Sequence, residues 1–344
     1  MSFTLTELLS APSVVRETID MNRDVIKSIA HSAKTRGITN ITTVARGASD
    51  TAITYFKYMV EVVGGFMVSK FSPSIATIYG ASVNLSKNMV LAVSQSGMSE
   101  DTIIVAESAK KSGALTIAVT NNPDSTLAKL CDYHIYLKAG EQRSVVSTKT
   151  YVSQLTVMYM LANALSSNPA KMNISTIPIA LETFINENSD KLASFAKQNA
   201  NINNFIVLSR GMMQGVAAKF SHMMMEVACK FSRPYSTTDF MHGPIAIVEE
   251  DTNIVIVAPD SVFSEEFINM TTRLSLLGAN IIAITDIKQI SDIASSALIM
   301  PKTRELEAPF IYAMALELIA THVSEELGFN PDSPRNLKMV ANTK

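Results

Sequence analysis

The chain has no tryptophan and only two cysteines, and no apolar run approaches the ~20 residues that a membrane helix requires. Cys131 and Cys229 sit among apolar neighbours without the spacing of a metal site. They are expected to be buried free thiols of a reducing, cytoplasmic compartment. Charge is sparse, at 17% of residues with a net −2, so no basic field draws the chain to nucleic acid or to an anionic membrane. Neither Gly-x-x-x-x-Gly-Lys-Ser/Thr nor a post-strand Gly-x-Gly-x-x-Gly is present, which leaves nucleoside triphosphate and dinucleotide binding unsupported. His31, His134, His222 and His322 show no metal-ligand spacing and read as structural, and no Ser/His/Asp arrangement stands out. The opening stretch to Asn22 mixes Glu7, Arg16, Glu17 and Asp20 with apolar residues, as an amphipathic helix does and a signal peptide does not.

What the chain does have is hydrophobic content, 47% of 344 residues, enough for two domains with substantial cores. It also repeats itself. Thr42-Thr-Val-Ala-Arg-Gly47 resembles Ile206-Val-Leu-Ser-Arg-Gly211, and Asn88–Thr120 matches Asn253–Thr285, at offsets of 164 or 165 residues. That period is far longer than a solenoid repeat and indicates a duplicated domain. Short apolar runs such as Met89–Val93, Leu115–Val119, Ile254–Val257 and Asn280–Ile284 suit strands buried on both faces of a parallel sheet. Between them, Glu100–Ser112 ends in Lys110, Lys111 and Gly113, a helix stop. Two tandem doubly wound α/β domains follow, each a parallel sheet flanked by helices. Their boundaries are predicted as a helical segment 1–24, domains 25–170 and 171–329, and a tail 330–344, with the polar stretch from Ser166 through Pro169 as the linker. Helices are predicted over Val152–Leu165, Ile179–Phe195 and Ala217–Phe231.

Ligands of such folds bind beyond the carboxyl ends of the strands. There the first copy carries Ser94-Gln-Ser-Gly97 and Ser99, a donor-rich turn opening a helix. Unpaired N–H groups at a helix start attract anions, and neutral donors without a lysine suit a phosphate monoester. A plainer alternative makes Ser99 only an N-cap, with Glu100 and Asp101 favouring the helix start and opposing an anion. The second copy has Pro259-Asp-Ser-Val262 instead, so only the first is expected to hold the anion. Ser147, in the polar loop after the first domain's last strand, is either a second anchor or, with Thr148, a helix cap. Glu226 interrupts an apolar helix, where burial would raise its pKa and fit it for proton transfer, or where Lys230 would pair with it. His242 lies in His-Gly-Pro, a loop able to present an exchangeable proton.

Arg46-Gly-Ala-Ser49, Ser94-Gln-Ser-Gly97, Val145-Val-Ser-Thr-Lys149, Glu226, His242-Gly-Pro244 and Pro334-Arg-Asn-Leu337 together resemble the isomerase half of glucosamine-6-phosphate synthase. They are similar also to its stand-alone relatives with two sugar isomerase (SIS) domains, including SIS-type glucosamine-6-phosphate deaminases, and Glu7-Leu-Leu-Ser-Ala-Pro12 looks like that family's opening. The resemblance implies that Ser49, Ser94, Gln95, Ser96 and Ser99 bind the sugar phosphate and that Val145 and Ser147 contact the sugar. It implies that Glu226 moves a proton between C1 and C2. His242 would assist ring opening from the neighbouring subunit of a homodimer, and no metal or organic cofactor is called for. The synthase's cysteine domain is missing from a chain that opens Met1-Ser2, so glutamine-driven synthesis is not expected. Two family lysines are replaced, by Met223 and Met339, with Lys338 the candidate substitute. The implied activity is isomerisation or deamination of a hexose or hexosamine 6-phosphate, for example glucosamine 6-phosphate to fructose 6-phosphate and ammonia. A fructosamine-phosphate deglycase and a non-catalytic sugar-phosphate sensor are the alternatives.

Overall fold

The computed structural model describes residues 1–338. The chain divides into two compact units, Ser10–Pro178 with Leu337 and Lys338, and Met1–Leu9 with Ile179–Asn336. The stretch predicted as one N-terminal helix is two, α1 (Phe3–Leu9) and α2 (Ala11–Thr35), and α2 has Pro12 in its first turn. Proline lacks the N–H that a continuing helix would need but fits a helix start, so the chain breaks at Ser10.

In the Ser10–Pro178 unit, α2 leads into β1 (Asn40–Ala45), α3 (Gly47–Gly64), β2 (Met67–Lys70), the single turn α4 (Ser74–Thr77) and β3 (Asn88–Val93). Then follow α5 (Glu100–Lys111), β4 (Leu115–Thr120), α6 (Thr126–Leu130), β5 (Tyr133–Tyr136) and α7 (Lys149–Leu165). The strands are all parallel, in the order β2-β1-β3-β4-β5. All six residues of β4 are buried, which is why its sequence is a continuous run without alternation. Val90 and Ala92 of β3 and Ala118 of β4 pack on Val105, Ala106 and Ala109 of α5 and Leu127 of α6. The other helices, α2, α3 and α7, pack together.

The second unit contains α8 (Ile177–Asn199), β6 (Phe205–Ser209), α9 (Met213–Ala228), β7 (Ser232–Ser236), α10 (Thr237–Met241) and β8 (Asn253–Ala258). It continues with α11 (Ser264–Leu276), β9 (Asn280–Thr285), α12 (Lys288–Ile293), β10 (Ser296–Ile299) and α13 (Ala308–Glu326). Its parallel sheet runs β10-β9-β8-β6-β7, the same arrangement of successive strands as in the first unit. The glycines that end α5 and α11 adopt the same left-handed conformation, Gly113 at φ +85° and Gly278 at +82°. Only a residue without Cβ turns the chain so freely from helix to strand.

The predicted helix over Ala217–Phe231 starts earlier and ends at Ala228, because Cys229 turns left-handed (φ +53°) and its N–H bonds back to the Met224 carbonyl. Cys131 is buried as expected, and burial pushes its thiol up to about 12, whereas Cys229 is exposed by its place at this turn.

Asp332 anchors α1 within its own unit. One carboxylate oxygen accepts from the Phe3 N–H (2.8 Å), and the other from the Thr4 N–H (2.7 Å) and Oγ1 (2.8 Å). A carboxylate at a helix start satisfies orphan N–H groups with charge-assisted bonds. Asp332→Ala is expected to cost about 1–2 kcal/mol in urea unfolding and to remove amide-exchange protection from Phe3 and Thr4.

Candidate functional site

The first unit's sheet creates a crevice by its strand order. From β1 the chain moves to one side for β2, then to the other for β3, and a doubly wound sheet opens where direction reverses. Ala45 and Val93 are register partners, so Arg46-Gly47 and Ser94 leave the same edge side by side. Two helices, α3 and α5, begin at that edge with their unpaired N–H groups.

The Ser94–Ser99 turn is held from below. The Gly97 N–H donates to the Ser94 carbonyl (3.0 Å) and hydroxyl (3.2 Å), and the Asn121 N–H donates to the Gln95 carbonyl (2.8 Å). Gly97 sits at φ +66°, and a Cβ there would lie 2.1 Å from Ser125 Oγ. Glycine is required on both grounds. Ser99 makes no side-chain cap for α5 and instead shares a 3.0 Å hydrogen bond with Ser94. The plain capping role is thus not the one its hydroxyl plays. Gln95 and Ser96 are half-buried at the tip, with Ser96 Oγ accepting from the Met98 N–H (3.2 Å). Ser49, in the first turn of α3, is buried and accepts from Gln154 Nε2 (3.0 Å), which leaves its own proton to donate.

The acidic helix start does not repel an anion unopposed. Asp101 is buried and paired with Arg46 Nε at 2.5 Å, while Glu100 is exposed to water. The sequence reading missed both Arg46 as a neutraliser and Gln154 as the group orienting Ser49. Arg46 is next in sequence to Gly47, but Asp101 is 55 residues on and only the β1–β3 pairing brings them together.

Val145 and Ser147 lie half-buried in the loop before α7. Thr148 makes no side-chain cap, while Ser147 Oγ bonds Thr150 Oγ1 (3.0 Å) and Thr150 Oγ1 donates to Gln142 (2.5 Å). Lys149 Nζ donates to the Glu141 carbonyl (2.8 Å), so the loop is latched to itself. Lys338 is exposed, and Met339 lies outside the described residues.

Glu226 and His242 belong to the second unit. Glu226 is half-buried on α9 and makes no ion pair among the described residues. Lys230, the partner suggested by spacing, is turned away beyond the end of α9 and bonds Asn203 (2.6 Å). His242 is exposed at the carboxyl end of α10, its N–H bonded to the Asp239 carbonyl (3.2 Å). Met223 is fully buried.

The charge buried in this unit's core is another pair, which the sequence reading passed over. Lys219 of α9 and Glu317 of α13 are each 1% exposed, with Nζ 3.6 Å from Oε1. Burial pushes the Glu317 carboxyl up to about 8, opposed by Lys219 and reinforced by the Glu226 carboxylate. The signal was present, a lone acid in the run from Phe310 to Ala320, the same signal that singled out Glu226.

The second unit's counterpart of the β1–β3 crevice is filled. Phe263 stands where Met98 does in the first copy, and its ring would lie 2.6 Å from a Cβ on Gly211. Arg210 stacks on that ring at 5.5 Å and pairs with Glu266. The Asp260 N–H is bonded to Asp286 (2.7 Å).

A doubly wound α/β protein with a donor-lined crevice at its first switch point is the class these features define. The SIS domain family model matches residues 34–164 and again 200–324, and the chain belongs to that family. A glutamine–fructose-6-phosphate aminotransferase (isomerizing) of Thermococcus kodakarensis is 27% identical over 97% of this chain and 57% of its own length. The chain thus spans little more than half the length of the curated relatives it matches. The C-terminal domain of glucosamine-fructose-6-phosphate aminotransferase from Francisella tularensis superposes with a TM-score of 0.83 at 20% identity, covering 97% of this chain and 98% of that one. Glucosamine-6-phosphate deaminase from Thermotoga maritima gives 0.76 at 19%, covering 99% and 100%. At such identities the structures share the fold.

Gly97→Ala is expected to distort the turn, since a Cβ meets Ser125 and φ is positive, and to cost at least about 1 kcal/mol in urea unfolding. Glu317→Gln tests the buried carboxyl. Its folded-state pKa is raised, so the stability it contributes is complete below the unfolded value of 4.5 and is lost as pH rises through about 8. The Gln variant should therefore lose less stability than the parent across that window, by on the order of a few kcal/mol in denaturant titrations.

Proposed function

We propose that the chain is an isomerase or deaminase of a hexose or hexosamine 6-phosphate. The observation that carries this reading is the Ser94–Ser99 turn. Its hydroxyls stand at the β1–β3 crevice beside the starts of α3 and α5, and the nearest buried acid is already neutralised by Arg46. Such a site gains from a phosphate monoester without needing a metal-sized charge.

In this reading Ser49, Ser94, Gln95, Ser96 and Ser99 hold the phosphate, and Val145 and Ser147 line the sugar. His242, exposed at the end of α10, donates to the ring oxygen as the pyranose opens, acting in the site of a neighbouring subunit of a homodimer. Glu226 takes the proton from C2 of the open chain and returns it to C1. With an amino group at C2 the product is a C2 imine. Water adds to it and ammonia leaves, so glucosamine 6-phosphate and water become fructose 6-phosphate and ammonia. Lys338 is the amine available to steady the developing enediol charge.

The burial of Met223 favours a second reading. No amine is available at that position to hold a sugar carbonyl, which suits the release of an amine from a fructosamine phosphate better than its installation. Purified protein should release ammonia from glucosamine 6-phosphate, or free amine from a fructosamine 6-phosphate, and Glu226→Gln should lower kcat by at least about a hundredfold. Tight binding without turnover of either compound would leave a sensor, and no binding of sugar phosphates would end the proposal.

A further inference from the structure

Lys219 and Glu317 have no part in the chemistry above, yet they are the most deeply buried ion pair among the described residues. At 3.6 Å the two side chains face each other without a short hydrogen bond, and neither Glu317 oxygen accepts one among the described residues. Apolar side chains of similar volume would join α9 to α13 with less desolvation. Stability is therefore a poor explanation for the pair, and its position offers a better one.

Lys219, Met223 and Glu226 follow one another on α9 at intervals of four and three residues, which puts them on one helix face. Glu317 meets that face from α13, the helix against which α9 packs. We propose that Glu317, held against Lys219, is a positioning residue for Glu226: gain or loss of its proton changes the charge behind Glu226 and so the readiness with which Glu226 accepts the substrate's proton. The functional half of this inference rests on Glu226 being the proton-transfer group.

The electrostatics have a definite sign. The Glu226 carboxylate raises the proton affinity of Glu317 and the Lys219 ammonium lowers it. Coupling of this kind is mutual. With Glu317 protonated, the pair places one positive charge behind Glu226. With Glu317 ionised, the pair is neutral and a second carboxylate stands behind Glu226. The other ionisable groups on the elements packed here are His222 of α9, Arg233 and Tyr235 of β7, Glu7 of α1, and Tyr312, His322, Glu325 and Glu326 of α13, of which His322 and Glu325 pair with each other. The charges that act on Glu317 are those of Lys219 and Glu226.

The test is a carbon-13 NMR titration of the Glu317 carboxyl in the full chain without substrate, joined to a pH profile of kcat/KM. Glu317 should titrate near 8 in the parent, lower in Glu226→Gln by about half a unit or more, and higher in Lys219→Met. The kcat/KM profile should carry a step near pH 8, of up to about tenfold, that Glu317→Gln abolishes while KM stays unchanged. Should Lys219→Met fail to fold, Glu226→Gln, at a half-buried position, still decides the coupling. A Glu317 titration that ignores Glu226→Gln, or a step that survives Glu317→Gln, overturns the inference. If the coupling is found but Glu226→Gln turns over normally, the proton-transfer assignment falls and the positioning role falls with it.

Discussion

The parallel pairing of β1 with β3 is the constraint on which the candidate site depends. Because Ala45 lies opposite Val93, two loops that are far apart in sequence leave the sheet together. That one register sets Ser94 beside the start of α3, brings Arg46 to Asp101, and aims two helix N-termini at one crevice. A one-residue slip would turn every side chain of the strand to the other face and dissolve the arrangement. Burial secures the register, with Val90, Ala92 and Ala118 packed under α5 on one sheet face.

The two units use the same architecture for different ends. In the first, the crevice is lined with hydroxyls and the acid at its edge is cancelled by an arginine. In the second, the matching space is taken by Phe263 under Arg210, and the backbone N–H that would face an anion is already given to Asp286. The second unit's charge is instead kept inside the α9–α13 contact. An internal glutamate cannot be hydrated, so burial favours its protonated form, Lys219 opposes that, and the Glu226 carboxylate reinforces it.

The strands, the helix start at Glu100 and the repeat were legible because they depend on local pattern. Apolar runs of strand length, basic residues in a last turn and a closing glycine act over a few residues. The N-terminal break at Ser10 was legible too, in Pro12, but was read over in favour of the amphipathic pattern. The extent of α9 was misjudged because nothing in the residues after Ala228 announces a left-handed cysteine.

The sequence alone determined two α/β domains and a hydroxyl-rich turn, since periodicity and turn chemistry are properties of neighbours along the chain. Only the tertiary structure decided which acid is buried, which serine hydroxyl caps a helix and which does not, and which arginine neutralises which aspartate. Glu226 and Glu317 both interrupt apolar helices, and the difference between half exposure and full burial lies in what packs against each. Burial and pairing are made by residues tens to hundreds of positions apart, and no local pattern carries that information.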